Sequence, residues 1–573
     1  MSSPVEAPVP QLGSPESFPT LTDKQLERAT AGSPARTLSP DEVLFEPGQS
    51  PPGIFIVLEG QLGIFRIQDG VPTLLRTLEA GKFTGEVGIL SGRPVVVRIA
   101  AITPARVATI PRERLMTLVQ NDAELSEVFM RAFVLRRAEL VNGGFGDVVL
   151  VGSDHCAGTL RIRDFLTRND YPFMEIDLDK ERDVEKLLDQ FHVALADVPV
   201  LLCRGRTILR NPSNDEIADC LGFNALIEVA QPRDVVVVGA GPSGLGAAVY
   251  AASEGLDVLV IETTAPGGQA GSSSMIENYL GFPSGISGHE LARAAYAQAQ
   301  KFEAKLMVAR RATRLDCGRR PYVLELDHGE KIEARTLIIA SGAEYRKLSV
   351  RDAARFEGAG VYYSATPMER KLCEGEELII VGGGNSAGQA AVYLADKARH
   401  VHVLVRGSGL ADSMSRYLIR RIEDHPRITL RTRTEIIAVE GDRHLEKVSW
   451  KDAETGESTT VPIRHVFVMA GAVPNTKWLE GCLALDESGF IKTGGDLSQE
   501  DLVLARWPLG RSPHLLETCL PGVFAVGDVR SGNLKRVASA VGEGSIAVAL
   551  THRVLREWGQ GLDAFGLEKG AAS

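Results

Sequence analysis

A chain of 573 residues is too long for one hydrophobic core, so several domains are expected. With 44% hydrophobic and 24% charged residues and a net charge of −11, the composition is that of a soluble globular protein and argues against nucleic acid or an anionic membrane as the main partner. No apolar run reaches membrane-spanning length, the Pro- and Ser-rich start has no apolar signal core, and the seven cysteines include no Cys-x-x-Cys pair; this excludes a local zinc knuckle and a disulfide scaffold and fits the reducing cytoplasm.

Residues 1–20, rich in proline and poor in apolar side chains, read as a disordered arm. Residues 21–143 alternate Gly/Pro punctuation with short β-type runs at 54–59, 62–67, 74–78, 95–102 and 107–110, then helical stretches at 112–118 and 123–141, which predicts a small sandwich or barrel closed by helices. Three motifs, Phe45-Glu46-Pro47-Gly48, Val57-Leu58-Glu59-Gly60-Gln61-Leu62 and Phe83-Thr84-Gly85-Glu86-Val87-Gly88-Ile89-Leu90-Ser91-Gly92-Arg93-Pro94, resemble the cyclic nucleotide-binding domain family. The resemblance implies that Glu86 holds a ribose 2′-OH and that backbone N–H groups after Gly85 hold the cyclic phosphate. The family places an arginine directly after the last proline; here Val95 stands there, flanked by Arg93 and Arg98. A charge-assisted contact is worth about 1.5–3 kcal/mol. Two readings therefore stand: a regulatory site formed by Gly85, Glu86 and Arg93, or a β-roll that only mediates assembly.

Residues 145–228 predict strand 148–152, helix 157–169, strand 173–176, helix 184–191, strands 198–202 and 207–210, and helix 214–221. This order, with Pro199 opening the third strand, resembles the glutaredoxin/thioredoxin fold. The resemblance makes Cys156, between the first strand and helix, the candidate catalytic thiol, and Pro199 the family's cis-proline. A helix N-terminus makes a thiol a better nucleophile. The family's second cysteine is replaced by Thr159, so only monothiol chemistry is open to Cys156 unless Cys203 or Cys220 resolves it; the alternative is a docking spacer with an inert thiol.

From Val235 to Glu262 the chain reads as strand, glycine turn, helix, strand, acid. Gly239, Gly241 and Gly244 form G-x-G-x-x-G: the first for the tight turn, the second for close approach of a pyrophosphate, the third for helix–strand packing. Ser243 follows at the helix start, whose free N–H groups favour phosphate, and Glu262 is placed for a ribose hydroxyl. Further on come Ala265-Pro266-Gly267-Gly268-Gln269, Ile276-Glu277-Asn278-Tyr279-Leu280-Gly281-Phe282-Pro283, Leu337-Ile338-Ile339-Ala340-Ser341-Gly342-Ala343 and Gly522-Val523-Phe524-Ala525-Val526-Gly527-Asp528-Val529. Together these resemble the FAD domain of low-molecular-weight thioredoxin reductases. The resemblance implies FAD on residues 232–348 and 476–560, with Gly268, Gln269, Asn278, Ser341 and Gly342 along the flavin, Gly527 and Asp528 at the ribityl chain, and Arg536, Val537 and Ala538 returning to the isoalloxazine edge.

The sequence then repeats its own logic in 349–475. Leu378 to Ala387 is a second strand–turn–helix with Gly382, Gly384, Asn385, Ser386 and Ala387 in G-x-G-x-x-A spacing. Val405 stands where the first unit has its acid, and Arg406 follows. A 2′-phosphate repels an acid and attracts arginine, so this unit is read as NADP(H)-binding. The family's second arginine is replaced by Gly407, with Ser408 and Arg416 available to complete the site. The family's Cys-x-x-Cys is also missing: Ser364 and Pro367 hold those places.

The expected architecture is thus multidomain: a β-roll with helices, a thioredoxin-fold α/β domain, and two Rossmann-like dinucleotide-binding α/β domains. The expected function is an NADPH-dependent FAD oxidoreductase that passes electrons to a disulfide or another acceptor, with a nucleotide ligand regulating it through the N-terminal domain. The alternatives are a ferredoxin reductase-like transfer from flavin directly to a partner, and a non-catalytic redox or nucleotide sensor. The resemblance further implies a homodimer and rotation of one dinucleotide module against the other.

Overall fold

The computed structural model describes residues 14–68, 71–85, 95–142, 148–153, 156–179, 197–203, 207–224, 227, 231–273, 275–363, 365, 367–411 and 413–559. Glu86, Arg93, Ser364 and the helix expected at 184–191 lie outside them.

The first unit is built from two antiparallel four-stranded sheets. One runs in the order Ala35–Leu38, Ala105–Pro111, Gly53–Glu59, Phe83–Thr84; the other Val43–Phe45, Arg98–Ala101, Leu62–Gln68, Val71–Leu78. Alternate residues point inward, so Leu38, Phe55, Val57, Leu62, Ile64, Ile99 and Val107 share one core. The outer face of the first sheet is covered by Arg112–Asn121 and Ala123–Asn142, with Phe129 edge-on to Phe83 at 4.9 Å. The expected disordered arm is shorter than the composition implies. Ser17 and Phe18 are buried, because the Phe18 ring lies under the guanidinium groups of Arg76 and Arg136 at 4.2 and 4.1 Å.

The second unit is a mixed sheet ordered Met174–Asp177, Val148–Gly152, Val200–Cys203, Thr207–Arg210, with the first pair parallel and the others antiparallel. Helices Ala157–Arg168 and Asn214–Leu221 pack on it, and the Val198–Pro199 bond is cis.

The third and fourth units are parallel sheets. In one, Lys305–Val308, Val258–Glu262, Arg233–Val238, Lys331–Ile339 and Val523–Ala525 lie side by side. Its central strands are apolar because both faces are covered: Val235 and Val237 pack with the helices Pro242–Ser253 and Val537–Gly559, and Val236 and Val238 with Leu315, Leu324 and Leu479. The other runs Val361–Tyr362, His465–Val468, Glu377–Val381, His400–Leu404, Ile428–Arg431. A two-stranded ribbon, Ala343–Tyr345 with Ala472–Pro474, joins the two.

The cysteines correct the reading that all of them stay reduced. Cys317, after strand Ala312–Asp316, is disulfide-bonded to Cys482, with Cα atoms 6.0 Å apart and a sequence separation of 165. Both lie beside one apolar cluster containing Leu315, Leu479 and Leu483, and folding brings them together across the whole second parallel-sheet module, a distance at which no local motif exists. Cys156, Cys373 and Cys519 are free thiols. Closing so long a loop restricts the unfolded chain by about 5 kcal/mol in the chain-entropy account. Reduction is therefore expected to raise the thiol count of the unfolded protein by the two sulfurs of Cys317 and Cys482 and to lower the melting temperature. Seven thiols before reduction would contradict the bond.

Candidate dinucleotide sites

The first glycine turn is fixed by two strands that end side by side. Gly239 has φ 105°, and a Cβ there would lie 2.3 Å from the Ala340 carbonyl oxygen. A Cβ at Gly244 would lie 1.8 Å from the carbonyl oxygen of Gly239. Only glycine lets the helix Pro242–Ser253 start this close to the strand, with Gly241 as its N-cap and its first N–H groups facing open space. Glu262 is buried at the end of the next strand. One carboxylate oxygen accepts from the Ala240 N–H at 2.7 Å and the other from the Thr264 N–H at 2.9 Å. The Thr263 hydroxyl also donates to the second oxygen, at 3.3 Å, so the acid clamps the phosphate loop itself while the oxygen that accepts from Ala240 keeps a lone pair for a ribose hydroxyl.

These groups open into a single cavity of about 2050 Å³. It is lined by Gly239, Gly241, Ser243, Glu262, Gly268, Gln269, Asn278, Ser341, Gly342, Asp528, Arg536 and Val537 from the first module, and by Gly382, Gly384, Asn385, Ser386 and Arg406 from the second. Gly244, Ala387, Gly527 and Ala538, expected in the site, do not line it. Gly244 and Ala387 face their own strands and turns, which is a packing role. The Gly527 N–H instead donates to Glu543 at 2.7 Å, and Glu543 pairs with Arg530 at 2.6 Å, so this turn is held from behind.

Several walls join expected residues to Asn475 and to a helix of the second unit, which motif reading missed. Gln269 donates through its amide to the Ala343 carbonyl oxygen. Asn475 and Ser341 exchange bonds across the ribbon: the Asn475 amide donates to the Ser341 carbonyl, and the Ser341 hydroxyl to the Asn475 carbonyl, both at 3.0 Å. Ala157, Leu160, Arg161, Asp164 and Arg168, all from the helix of the second unit, form one further side. Burial pushes the Asp164 carboxyl up, with the neighbouring Arg168 charge opposing it. Such walls arise between units far apart in sequence, so spacing carries no signal of them.

In the second module, Gly384 caps the helix Asn385–Ala395. The Asn385 side-chain carbonyl accepts from the Ser415 N–H at 2.8 Å and its hydroxyl at 2.9 Å, and the Ser413 hydroxyl donates to Gly383 at 2.8 Å. Arg406 is exposed on the cavity rim beside Gly407 and Ser408, and no ion pair engages it among the described residues. Arg416 does not reach the cavity.

Cys156 lies apart from these loops. It is the half-buried N-cap of Ala157–Arg168 and lines a second cavity of about 690 Å³ with Pro199, Asn211, Thr263, Thr264 and Arg311. Ala157 and Arg161 border both cavities. Of the expected regulatory residues only Gly85 is described, with φ 96° at the end of strand Phe83–Thr84.

The residues fit a dinucleotide at each glycine turn. Each turn leaves no room for a side chain on its packed face and presents helix N–H groups on the open one. The main cavity, about twice the upper end of ordinary ligand pockets, has space for two such groups. Residues 233–544 match the family described as pyridine nucleotide-disulphide oxidoreductase. The chain belongs to that family. Its branch is the thioredoxin reductase-like one, whose cofactors are FAD and NADPH. A thioredoxin reductase of Bacillus subtilis is 32% identical over 326 residues, covering 56% of this chain and 95% of the relative. An NADH dehydrogenase of the same organism is 31% identical over 321 residues, but the match spans only 57% of its length. Among solved structures, the Lactococcus lactis thioredoxin reductase in its FR conformation superposes with a TM-score of 0.50 at 26% identity, over 57% of this chain and 99% of that one. Residues 35–122 match the cyclic nucleotide-binding domain family, so this thioredoxin reductase-like flavoprotein carries such a domain ahead of its oxidoreductase region.

Asp528 offers a test of the flavin side. Burial raises its carboxyl above the ordinary range; Lys535 opposes the shift and Glu543 adds to it. In the cofactor-free protein the charged form therefore costs stability, which falls as pH rises from the ordinary carboxylate value, about 4, through the raised one. The Asp528→Asn protein without FAD is expected to melt higher than the wild type at pH 7, with the gap narrowing toward acid pH, and to retain less FAD. A lower melting temperature at pH 7 would contradict this placement of the charge.

Proposed function

We propose that the protein is an NADPH-dependent FAD reductase that delivers electrons to a disulfide. The observation that carries this reading is that both glycine turns open into one cavity. When bound, the two cofactors supply hydride transfer from nicotinamide to flavin and two electrons for an acceptor. The chain's own contribution is to hold and screen them. The two helix N-termini neutralise the pyrophosphates, Glu262 fixes the first loop, and the Asn475–Ser341 pair keeps the ribbon between the modules closed. Arg406, an exposed cation one residue past the position of the first unit's acid, is the residue that selects the 2′-phosphate of NADPH.

Pro367, in the place of one family thiol, starts the helix Pro367–Leu372 and offers no sulfur. Cys156 takes over as the exchanging thiol in this reading, which treats 145–228 as a thioredoxin fold. The supports are its mixed sheet order, Cys156 at the helix N-cap and the cis bond before Pro199. Its thiolate would attack an acceptor disulfide: a sulfur–sulfur bond forms to Cys156, the acceptor's own bond breaks and one acceptor thiolate leaves; the two electrons that the bound cofactors would supply then break the mixed bond, releasing the second acceptor thiol and restoring Cys156. The 690 Å³ cavity sets the scale of a small disulfide. Direct transfer from the flavin to a partner is the second reading, favoured by the missing Cys-x-x-Cys.

Anaerobic rapid mixing with NADPH tests both parts. The flavin band is expected to bleach. Arg406→Ala should need about tenfold or more NADPH for the half-maximal rate, the loss of one charge-assisted phosphate contact, with the NADH curve unchanged. Cys156→Ser should bleach like the wild type yet lose turnover with a small disulfide. Bound flavin that NADPH does not reduce would overturn the enzyme reading; unchanged disulfide turnover in Cys156→Ser would overturn the relay and leave direct transfer.

A further inference from the structure

Two adjacent arginines on the helix Ala123–Asn142 point to different units. Arg136 is 2% exposed inside the β-roll. Its Nε donates to the Ser17 carbonyl at 2.6 Å and its Nη1 to the Phe83 carbonyl at 2.9 Å, while its guanidinium lies 4.1 Å from the Phe18 ring centre and 4.5 Å from that of Phe83. A guanidinium stripped of water and held by carbonyls and ring faces on several sides cannot shift without moving them. It therefore ties this helix to the strand Phe83–Thr84, which runs into Gly85.

Arg137 leaves the roll. It donates to the carbonyl of Asn169 at 3.3 Å, the C-cap of the helix Ala157–Arg168. Three consecutive residues at that point grip the FAD module. Arg168 donates to the Gly268 carbonyl at 2.9 Å. The Asn169 amide donates to the Thr264 carbonyl at 3.0 Å. The buried Asp170 carboxylate accepts from Arg293 at 3.0 Å and lies 3.1 Å from the His289 ring on the helix Gly288–Lys301. Burial pushes Asp170 up, but the His289 hydrogen bond and the charges of Arg293 and Arg137 prevail and hold it low. The Thr264 N–H is one of the two backbone donors that fix Glu262, and Gly268 precedes Gln269 in the lining of the same cleft. A set of buried or half-buried contacts therefore runs from the strand Phe83–Thr84 to Thr264 and Gly268 in the lining of the cleft.

We propose that Arg168 and Asn169 are positioning residues for the two FAD loops, and that the Arg137–Asn169 contact couples their placement to the state of strand Phe83–Thr84. The unit between the β-roll and the oxidoreductase region is then a transmission element as well as a thiol carrier. The regulatory half of this proposal rests on the reading that the β-roll takes a cyclic nucleotide. Coupling between two binding sites is reciprocal, so the factor by which one ligand changes the other's affinity must be the same in both directions.

The test uses the full chain, as wild type and Arg137→Ala, a change that touches neither cavity. FAD affinity is measured with and without 3′,5′-cyclic AMP, and cyclic AMP affinity with and without FAD. Amide hydrogen exchange at Phe83–Gly85 is followed in parallel as FAD is added. In the wild type, FAD is expected to slow exchange at Phe83–Gly85, and the two affinity factors should agree at about fivefold or more. In Arg137→Ala both effects should vanish while each ligand alone binds as before. If cyclic AMP does not bind but FAD still slows exchange in the wild type only, the coupling stands and the nucleotide reading falls. If cyclic AMP binds but exchange at Phe83–Gly85 ignores FAD, or if Arg137→Ala keeps the wild-type factor, the coupling is overturned and the nucleotide reading stands.

Discussion

The structure turns on the closeness of the strands Arg233–Val238 and Lys331–Ile339, paired in parallel from Arg233↔Ala334 to Val238↔Ile339. Ending together, they leave the Gly239 turn pressed against the Ala340 carbonyl with no room for a side chain. The helix that follows then starts at the sheet edge with its N–H groups unfilled, and the adjacent strand delivers Glu262 to clamp the loop. The second module repeats the arrangement at Gly382 without the acid, and the ribbon Ala343–Tyr345 with Ala472–Pro474 turns both loops toward one space.

What sets this chain apart is the extra wall on that space. The helix Ala157–Arg168 presents Arg161, Asp164 and Arg168 to the main cavity and Cys156 to a smaller one beside it. The appended unit is held there by buried or half-buried charge and amide contacts: Asp170 with Arg293, Arg310 with Asp219 at 2.6 Å, and Asn224 with both the N–H and the carbonyl of Val308 at 2.9 Å. It is therefore docked on the FAD module rather than tethered to it. The β-roll is docked in turn, with Lys301 reaching Ser126 at 2.9 Å.

Much of this was legible in the sequence because it depends on local rules. Glycine spacing and β-branched runs locate both turns, and the punctuation of the β-roll marks its longer strands and its two closing helices but not the short strands Ala35–Leu38, Val43–Phe45 and Phe83–Thr84. Three things were not legible, each a matter of long-range geometry. Phe18 is ordered by two arginines, one of them more than a hundred residues away in Ala123–Asn142. Cys317 meets Cys482 only once the insertion between them has folded out as a separate module. The Arg168–Asp170 contacts with the FAD loops join side chains whose local sequence reads as an ordinary helix end. Gly244, Ala387 and Gly527 show the converse limit: a motif position can serve the packing behind a site without touching its contents.

The central claim is that the FAD cleft holds one redox centre with no dithiol in reach of it. Cys317 and Cys482 do not line the cavity, and Cys156 faces the neighbouring one. Anaerobic reductive titration of the FAD-loaded protein with dithionite measures this directly. The account predicts full reduction after two electrons per FAD. Uptake of four would show a disulfide in redox contact with the flavin, and would contradict it.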